Sequence, residues 1–434
     1  MLYYEESIET MPREELKKLQ SERLSALVKR VYEKSSFYKN AFDQANIKPE
    51  DIKSVDDIVK LPFTVKADLR DNYPFGMFSA DLKDIIRIHA SSGTTGKPTV
   101  VGYTKNDITM WAKCAARSLV CAGANPDSIV QVAYGYGLFT GGLGLHYGAE
   151  ELGAAVIPMS GGNTSKQLML MHDFQATQLA CTPSYANYLG EALRESGADM
   201  SEIKLKSGIF GGEPWSEGLR KSIEKKLNIK AYDIYGLSEI MGPGVAIECC
   251  EQNGLHIWED NFIAEIIDPD TLEPVNEGEE GELVITTITK EGIPLIRYRT
   301  RDISKITYEK CACGRTHARI ARVKARTDDM LIIRGVNVYP SQIESVLLTI
   351  DEVEPNYNII VTREGTLDMM EILVELNEKF DFDKIASLEA LSKTIAAKLH
   401  SVLGIHSKIK LVEPHSISRF EGKATRVDDR RGKE

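Results

Sequence analysis

The amino-acid sequence predicts a two-domain α/β protein, with a large N-terminal domain of parallel-rich sheets and a β subdomain, then a small, mobile α+β domain. The first observation is length, because 434 residues exceed what one compact core normally organises. The second is that short apolar runs alternate with helical patterns from about residue 80 to 240, as in sheets covered by helices. The third is a change of pattern after "RTDDMLIIRGVNVYP". We therefore expect domains over residues 1–326 and 327–434.

Each element follows from a local pattern. Apolar residues at helical spacing over 13–43 predict an amphipathic helical entry segment. "SIVQVAYG", "GAAVIPM" and "TQLACTPS" are typical of strands, and "NDITMWAKCAARSLVCAG" of a helix. "FIAEIIDP" and "GELVITTIT", joined by a turn-like segment, predict an antiparallel subdomain. Near the C-terminus we expect a helix from Ser341, strands at "NYNIIVT" and "MEILVEL", a helix over 384–402 and a strand at "KIKLV". The polar tail "GKATRVDDRRGKE" is expected to be mobile.

Composition and charge exclude several classes of function. The formal net charge of −11 argues against nucleic acid as a main partner. No apolar run approaches the length that spans a bilayer, and "MLYYEESIET" lacks the layout of a signal peptide. The seven cysteines are an odd number in a chain without an export signal, so we expect reduced thiols rather than a disulfide framework. The expected location is cytoplasmic, without a membrane partner, and a homodimer remains open.

The segment "SSGTTGKPT", residues 91–99, has the chemistry of a phosphate-binding loop. Its hydroxyls, two glycines and a lysine can turn donors and positive charge toward a ligand. It is not a Walker A loop, because Ser91 occupies the position of the first glycine and Pro98 follows Lys97. Since proline disfavours a helix there, the loop is expected between two strands. A flexible surface linker is the competing interpretation.

Further motifs follow this loop in a fixed order: "YGLSE" at 235–239, "YRTRD" at 298–302, "RTDDM" at 326–330 and "EGKATRV" at 421–427. Together they resemble the adenylate-forming superfamily of acyl-CoA synthetases, adenylation domains and luciferases. "YGYGLFTGGLG", "GGEPW", "LHIWED" and "PLIRYRTRD" are similar to the phenylacetate–coenzyme A ligase branch. Arg301 departs from the superfamily's usual glycine before the aspartate, a variant that suits this branch.

The resemblance implies a two-step reaction that uses ATP, Mg²⁺ and coenzyme A. A carboxylate attacks the α-phosphate to form an acyl-adenylate, and the coenzyme A thiol then displaces AMP. Bringing two anions together is unfavourable, by about 4 kcal/mol for unit charges about 4 Å apart at an effective dielectric near 20. Positive charge at the site would offset this repulsion by preorganised electrostatics.

The same resemblance assigns residues to these roles. Lys423 and Glu239 would be catalytic, with Glu239 holding magnesium, and Asp302 would accept hydrogen bonds from the ribose hydroxyls. Arg326 would lie near the ribose or phosphate. The loop residues expected to cover the phosphates are Ser92, Gly93, Thr94, Thr95, Gly96 and Lys97. The residues expected to flank the adenine are Gly212, Glu213, Pro214, Asp233, Ile234, Tyr235 and Gly236.

Two further expectations concern the acid and the domain motion. Aromatic rings interleaved with glycines can flank a flat ligand, and this predicts an acid pocket of Tyr136, Gly137, Phe139, Gly141 and Gly142. The expected substrate is an aryl or arylacetic acid, phenylacetate above indoleacetate, hydroxyphenylacetate and benzoate. Asp328 matches the family's hinge, about which the C-terminal domain takes two orientations, one for each half-reaction.

Clustered cysteines and histidines predict a structural zinc site. "ECCEQNGLHIWED" and "EKCACGRTHARI" supply a Cys₃His set of Cys249, His256, Cys311 and Cys313, which matches a closed tetrahedral site. Cys250 and His317 are the substitutes. Free reduced thiols on surface loops are the alternative.

These observations predict an ATP-dependent ligase that joins an aryl or arylacetic acid to coenzyme A. One alternative is an adenylating enzyme with a different acyl acceptor, and another is a nucleotide-binding regulator that has lost its chemistry. Intact Glu239, Asp302 and Lys423 argue against the regulator.

Overall fold

The computed structural model describes residues 2–91, 98–323, 325–326, 330–334, 336–364 and 367–431. The chain begins with a helical region rather than one continuous helix. Its α-helices are α1 (Glu6–Glu9), α2 (Arg13–Lys34), α3 (Ser36–Gln44) and α4 (Lys66–Asp71), with short 3₁₀ turns at Pro49–Asp51, Val55–Lys60 and Leu82–Asp84. The entry segment is divided because Ser35 adopts an extended conformation, φ −113° and ψ 115°, between α2 and α3. The buried face of α2 comprises Leu16, Gln20, Leu24, Leu27, Val28 and Val31.

A hairpin brackets the predicted phosphate loop. Strands β1 (Arg87–Ala90) and β2 (Val100–Tyr103) pair antiparallel, so the loop lies between two strands as predicted. Residues 92–97 themselves lie outside the described part of the chain.

Alternating helices and strands build the central layer. They are α5 (Lys105–Cys121), β3 (Ile129–Val132), α6 (Gly141–Leu152), β4 (Ala155–Ile157), α7 (Thr164–Asp173), β5 (Gln178–Cys181), α8 (Pro183–Glu195), β6 (Ser207–Gly211), α9 (Glu217–Leu227) and β7 (Lys230–Leu237). Strands β3 to β7 pair in parallel, β3 with β4 and β5, β5 with β6, and β6 with β7. The alternation in the sequence predicted this half of the sheet.

The sheet then continues with antiparallel strands. These are β8 (Gly242–Glu248), β9 (Leu255–Ile257), β13 (Ile306–Thr307) and β14 (Arg319–Ile320). The complete nine-stranded order is β13-β14-β9-β8-β7-β6-β5-β3-β4. The direction changes after β7 because a tight turn returns the chain as β8, antiparallel to it. Antiparallel neighbours need only a short turn, whereas parallel ones need a crossover.

The predicted β subdomain is a separate four-stranded antiparallel sheet. Its strands are β10 (Phe262–Ile267), β11 (Gly281–Thr287), β12 (Tyr298–Ser304) and β15 (Ala325–Arg326), in that order. The pairing of β12 with β15 sets Asp302 opposite Arg326.

The C-terminal region forms its own α+β unit. It comprises β16 (Leu331–Ile333), β17 (Val336–Val338), α10 (Pro340–Leu347), β18 (Val353–Glu364), β19 (Leu367–Leu376), α11 (Ile385–Leu403), β20 (Lys408–Val412) and β21 (Val427–Asp429). The polar tail was expected to be mobile, but β21 pairs in parallel with β18 at the edge of the sheet β20-β19-β18-β21. Backbone hydrogen bonding to β18 offsets the lack of apolar side chains in this segment.

The hydrophobic cores follow the two-domain division. One buried cluster formed by residues from Leu331 to Ile405 lies within the C-terminal unit, apart from the two large clusters of the N-terminal region. Residues 327–329 lie outside the described part of the chain, so the boundary at 326–327 and the hinge at Asp328 stay predictions. Among the described helices, none combines the length and the apolarity that crossing a membrane requires.

Candidate active site

A cavity of about 780 Å³ lies between the central sheet and the segment around Lys423. Most of the sequence-predicted site residues in the described part of the chain line it. They are Phe139, Gly141, Gly212, Glu213, Pro214, Asp233, Ile234, Tyr235, Gly236, Glu239, Asp302, Arg326 and Lys423. Ser91 and Pro98, on either side of the predicted phosphate loop, also line it. The fold thus brings together segments more than 300 residues apart in sequence.

The predicted adenine-binding stretches lie at the carboxyl ends of two neighbouring parallel strands. Gly212, Glu213 and Pro214 follow β6, and Asp233 to Gly236 occupy the end of β7, where Gly211 pairs with Ile234. Ligands of open α/β sheets bind outside such carboxyl ends. Gly212 has a φ of 86°, a left-handed conformation that glycine adopts without a steric penalty. The two stretches therefore lie side by side and line the same cavity.

Asp302 is held by a tyrosine from the neighbouring wall. The Tyr235 hydroxyl donates to Asp302 Oδ2 at 2.6 Å, and Arg326 Nε lies 3.7 Å from Asp302 Oδ1. Burial raises the pKa of the Tyr235 phenol well above its usual range, and the Asp302 carboxylate raises it further. Tyr235 therefore keeps its proton and orients the aspartate, whose other oxygen stays directed at the arginine.

The backbone at Arg301, the residue before this aspartate, has a conformation that glycine adopts more easily than other residues. Its φ is 67°, in the left-handed region that side chains other than glycine rarely adopt. The Arg301 amide donates to Glu282 Oε1 at 3.2 Å, and its guanidinium lies 3.7 Å from Glu282 Oε2. Contacts to one buried carboxylate offset the cost of this backbone conformation.

Glu239 sits on the tight turn between β7 and β8, with only 5% of its surface exposed. Lys66 Nζ approaches its carboxylate at 3.5 Å, and Lys66 also lines the cavity. Lys290 supports the same turn from behind by donating to the carbonyl oxygens of Glu239, at 3.1 Å, and Ile240, at 2.7 Å. Burial lowers the pKa of Lys290 to about 8.

Sequence reasoning missed three cations near this site: Lys66, Lys290 and Arg322. Lys290 carried a signal, since a lysine directly after the apolar strand "GELVITTIT" is unusual in a buried segment. Arg322 lines the cavity and binds Asp233 Oδ2 through Nε at 3.1 Å, beside the Trp215 ring. Lys66 and Arg322 lie in segments with no distinguishing local pattern.

Only some of the residues predicted for the acid pocket line the cavity. Phe139 and Gly141 line the cavity, together with Tyr134, Gly135 and Leu138. Among the described residues, Tyr136, Gly137 and Gly142 are not on its wall. The hydroxyl of Tyr136 instead lies 3.3 Å from His146 Nδ1. Position 142 requires glycine for packing, because a Cβ added there would lie 2.8 Å from the Gly135 carbonyl oxygen.

Lys423 enters the cavity from the C-terminal unit. Its ammonium lies 5.6 Å from the centre of the Phe139 ring, within range of a cation–π contact. The Thr182 hydroxyl donates to the carbonyl oxygen of Gly422 at 2.9 Å. The closing motif is therefore docked with its lysine facing the predicted acid and nucleotide positions.

A second cluster lies apart from this cavity. The ligand atoms of Cys249, His256, Cys311 and Cys313 all lie within 4.8 Å of one another, and all four residues are buried. Cys249 Sγ is 3.7 Å from Cys311 Sγ, and Cys313 Sγ is 3.4 Å from His256 Nε2. His256 Nδ1 donates to the His317 carbonyl oxygen at 3.1 Å, which leaves Nε2 free for a metal. This buried Cys₃His group can hold a metal ion.

The two substitute ligands are engaged elsewhere. Cys250 is exposed, with its thiol beside the Glu251 carboxylate. The His317 ring lies 3.0 Å from the carbonyl oxygens of both Ile257 and Ile8. The structure therefore brings together the four residues first chosen from the sequence.

Comparison with known proteins finds relatives over nearly the whole chain, and they agree with the family that the motifs indicate. A family model described as AMP-binding enzyme matches residues 6–289, and a model of the AMP-binding enzyme C-terminal domain matches residues 335–431. The chain is 51% identical to a phenylacetate–coenzyme A ligase of Thermus thermophilus, covering 99% of this chain and 100% of that protein. It is 50% identical to the Escherichia coli K12 phenylacetate–coenzyme A ligase, covering 98% and 97%.

One relative has been solved in two reaction states, and this chain superposes on them to different extents. In its postadenylation state with 2-HIB-AMP, 2-hydroxyisobutyryl-CoA ligase superposes with a TM-score of 0.93 at 30% identity, covering 99% of this chain and 92% of that one. In its thioesterification state with 2-HIB-AMP and CoA, the TM-score is 0.73 at 31% identity, covering 100% and 93%. The present arrangement resembles the former. The predicted fold class and superfamily resemblance are confirmed, and the chain belongs to the AMP-binding enzyme family.

Proposed function

We propose that this protein is an AMP-forming phenylacetate–coenzyme A ligase. One observation carries the proposal: Asp302, Glu239 and Lys423 line a single cavity, although they come from the β subdomain, the central sheet and the C-terminal unit. The curated relatives that match nearly the whole chain are phenylacetate–coenzyme A ligases. In the first step a carboxylate oxygen attacks the α-phosphorus of ATP and pyrophosphate leaves. In the second, the thiol of coenzyme A attacks the acyl carbon and AMP leaves.

The first step needs charge stabilisation more than proton transfer. Lys423 lines the cavity with its ammonium 5.6 Å from the Phe139 ring centre, where it would face the acid and the α-phosphate. Asp302, fixed by Tyr235 at 2.6 Å, accepts from the ribose hydroxyls and so sets the position of the α-phosphate. Donors and charges held in place before the reaction stabilise the transition state without reorganisation.

Magnesium fits the residues at the β7–β8 turn. Glu239 offers a buried carboxylate, a hard oxygen ligand of the kind Mg²⁺ binds, beside the cavity wall. When bound, the ion would neutralise phosphate charge. Lys290 donates to two carbonyl oxygens of this turn and thereby holds the backbone that carries Glu239.

The acid slot favours a flat aromatic ring. Phe139 and Tyr134 form a tilted aromatic pair on the cavity wall, with ring centres 6.5 Å apart, and Gly135 leaves space beside them because it carries no side chain. An aromatic ring packed against this pair gains offset or edge contacts in addition to apolar burial.

A panel of aromatic acids tests this proposal directly. With ATP, Mg²⁺ and coenzyme A, we expect phenylacetate to give stoichiometric AMP and a thioester, at a higher kcat/KM than indoleacetate, hydroxyphenylacetate or benzoate. Mass spectrometry of the thioester and an AMP-coupled assay are the measurements. AMP release without thioester would identify an enzyme with a different acyl acceptor. No acid-dependent pyrophosphate release with any member would leave only a nucleotide-binding regulator.

We also propose that the Cys₃His group binds zinc in a structural role. Three thiolates and one imidazole are the ligand types of closed tetrahedral zinc sites. Since all four positions are protein ligands, none is left for water or substrate. The ion would join the segment after β8 to the loop at 311–313 and take no part in the ligase chemistry.

The hinge at Asp328 yields a further prediction. Asp328→Pro restricts φ to about −65° and is expected to favour one domain orientation, so that one half-reaction survives while the other is strongly impaired. Pyrophosphate–ATP exchange and thioester formation from supplied phenylacetyl-adenylate measure the two halves separately. Normal rates in both would place the pivot at another residue.

A further inference from the structure

The segment that carries Lys423 is held on both sides of the lysine by residues of the N-terminal domain. The Thr164 hydroxyl donates to Glu421 Oε1 at 3.0 Å, and the Thr182 hydroxyl donates to the Gly422 carbonyl oxygen at 2.9 Å. Beyond the lysine, the Ala424 amide donates to Glu213 Oε2 at 2.7 Å. The backbone is therefore tied at the residue before Lys423 and at the residue after it.

Glu213 is the only charged residue of the N-terminal domain in these three contacts, and both of its oxygens are used. While Oε2 accepts from Ala424, Oε1 accepts from the Ser184 amide at 2.8 Å. Ser184 lies in the first turn of α8, and Thr182 is the N-cap of the same helix. Burial raises the pKa of the Glu213 carboxyl, whereas the amides of Ser184 and Ala424 and the positive end of the helix dipole favour its charged form. The start of α8 is thus the docking point for the closing motif.

We propose that Glu213 is a positioning residue for adenylation, whose carboxylate joins the start of α8 to the amide beside Lys423 and so holds the lysine in the cavity. This rests on the proposed ligase function. It differs from the role of an adenine wall, because the atoms of Glu213 that form hydrogen bonds contact protein amides. A lysine side chain has many rotamers, and anchoring its backbone on both sides limits the positions its ammonium can reach.

The contact belongs to one of two domain arrangements. The present structure resembles the postadenylation state of 2-hydroxyisobutyryl-CoA ligase, with a TM-score of 0.93, far more than its thioesterification state, with 0.73. A contact made in only one arrangement shifts the equilibrium toward that arrangement and does not assist the other. Removing it is therefore expected to slow adenylation and to spare thioester formation.

Glu213→Gln is the direct test, because it keeps the size of the side chain. A glutamine oxygen can accept from one amide, but its NH₂ group then faces the other amide, donor against donor. Charge-assisted hydrogen bonds of this kind correspond to rate losses of about 10- to 100-fold. We expect the kcat of phenylacetate-dependent pyrophosphate–ATP exchange to fall by that factor. The KM for ATP and the rate of thioester formation from supplied phenylacetyl-adenylate should change by less than about threefold.

Ala424→Pro tests the same contact from the other side. Proline removes the donor N–H without altering Glu213, and the double variant should be no slower in adenylation than the slower single variant, because both remove one interaction. Glu202→Gln is the matched control, since its carboxylate is 62% exposed and pairs with His172, and neither residue lines the cavity. We expect this control to retain wild-type rates in both half-reactions.

Three results would overturn the proposal. A higher KM for ATP at unchanged kcat would make Glu213 a nucleotide contact. Equal losses in both half-reactions with a lower melting temperature would make it a structural residue. Additive losses in the double variant would show that Glu213 and Ala424 act separately. A wild-type protein that makes no phenylacetyl-CoA would instead refute the proposed function, so the two failures are distinguishable.

Discussion

Lys423→Ala is expected to reduce the rate of acyl-adenylate formation by about 10²- to 10³-fold, the loss typical of removing one preorganised donor at a developing charge. The lysine is the positive group that the C-terminal unit brings into the cavity, where its ammonium lies 5.6 Å from the Phe139 ring centre. Without it, the acid and the α-phosphate meet with less compensation of their negative charges. Pyrophosphate–ATP exchange driven by phenylacetate measures this step.

Thioester formation from supplied phenylacetyl-adenylate should be far less affected by the same substitution. In the second orientation that we expect, the lysine would leave the cavity, so its charge would no longer act on the reacting atoms. Lys393→Ala is a suitable control, because Lys393 lies on α11 of the same unit with 81% of its side chain exposed. Equal losses in both half-reactions would contradict the model of two orientations.

Cys311→Ser is expected to abolish metal binding and to lower thermal stability. The wild-type protein should carry about one zinc per chain after dialysis, as a closed Cys₃His site does. A ligand bound only by the folded state, at a concentration about 1,000 times its Kd, adds about 4 kcal/mol to the free energy of unfolding. Elemental analysis and thermal denaturation are the measurements. The rate of catalysis in the folded fraction should change little, because the cluster is separate from the cavity.

The loop that carries Cys311 and Cys313 also contacts the N-terminal segment, so loss of the metal is expected to affect both. The Cys311–Cys313 loop continues into Arg315, which is buried against Glu9 at 2.8 Å, and the Tyr3 hydroxyl donates to the Cys313 carbonyl oxygen at 2.8 Å. An ion that fixes this loop therefore also anchors the N-terminal segment.

Cys250→Ser is the matched control for the zinc prediction, since Cys250 is the exposed neighbour of Cys249. It should retain both zinc and stability. Zinc well below one equivalent in protein grown with ample metal would refute the site. If Cys250→Ser loses the metal while Cys249→Ser keeps it, the site exists with a different ligand.

The sequence was sufficient to predict those features that depend on residues close together along the chain. The pattern of apolar residues indicated α5, α11 and the parallel strands β3, β4 and β5, because helices and buried strands differ in repeat. The order of the motifs indicated the family, and the comparisons confirm it. The chemistry of cysteine and histidine indicated four residues as metal ligands, and the fold brings their ligand atoms within 4.8 Å of one another.

Tertiary structure decided what depends on partners distant in sequence. The polar strand β21 forms because β18 offers it a free edge, which no property of its own residues indicates. Lys66 and Arg322 reach the cavity through the packing of distant segments, and Tyr136 is turned away from the cavity toward His146.

The sequence by itself therefore determined the two-part architecture, the family and the residue types that carry the chemistry. Only the tertiary structure decided which of those residues share one cavity, and that Glu213 joins α8 to the backbone beside Lys423. The physical reason is that apolar periodicity, and the chemistry of each single motif, depend on residues that are close together along the chain. A hydrogen bond between residues 213 and 424 depends on how two separately folded cores dock, which no local pattern specifies.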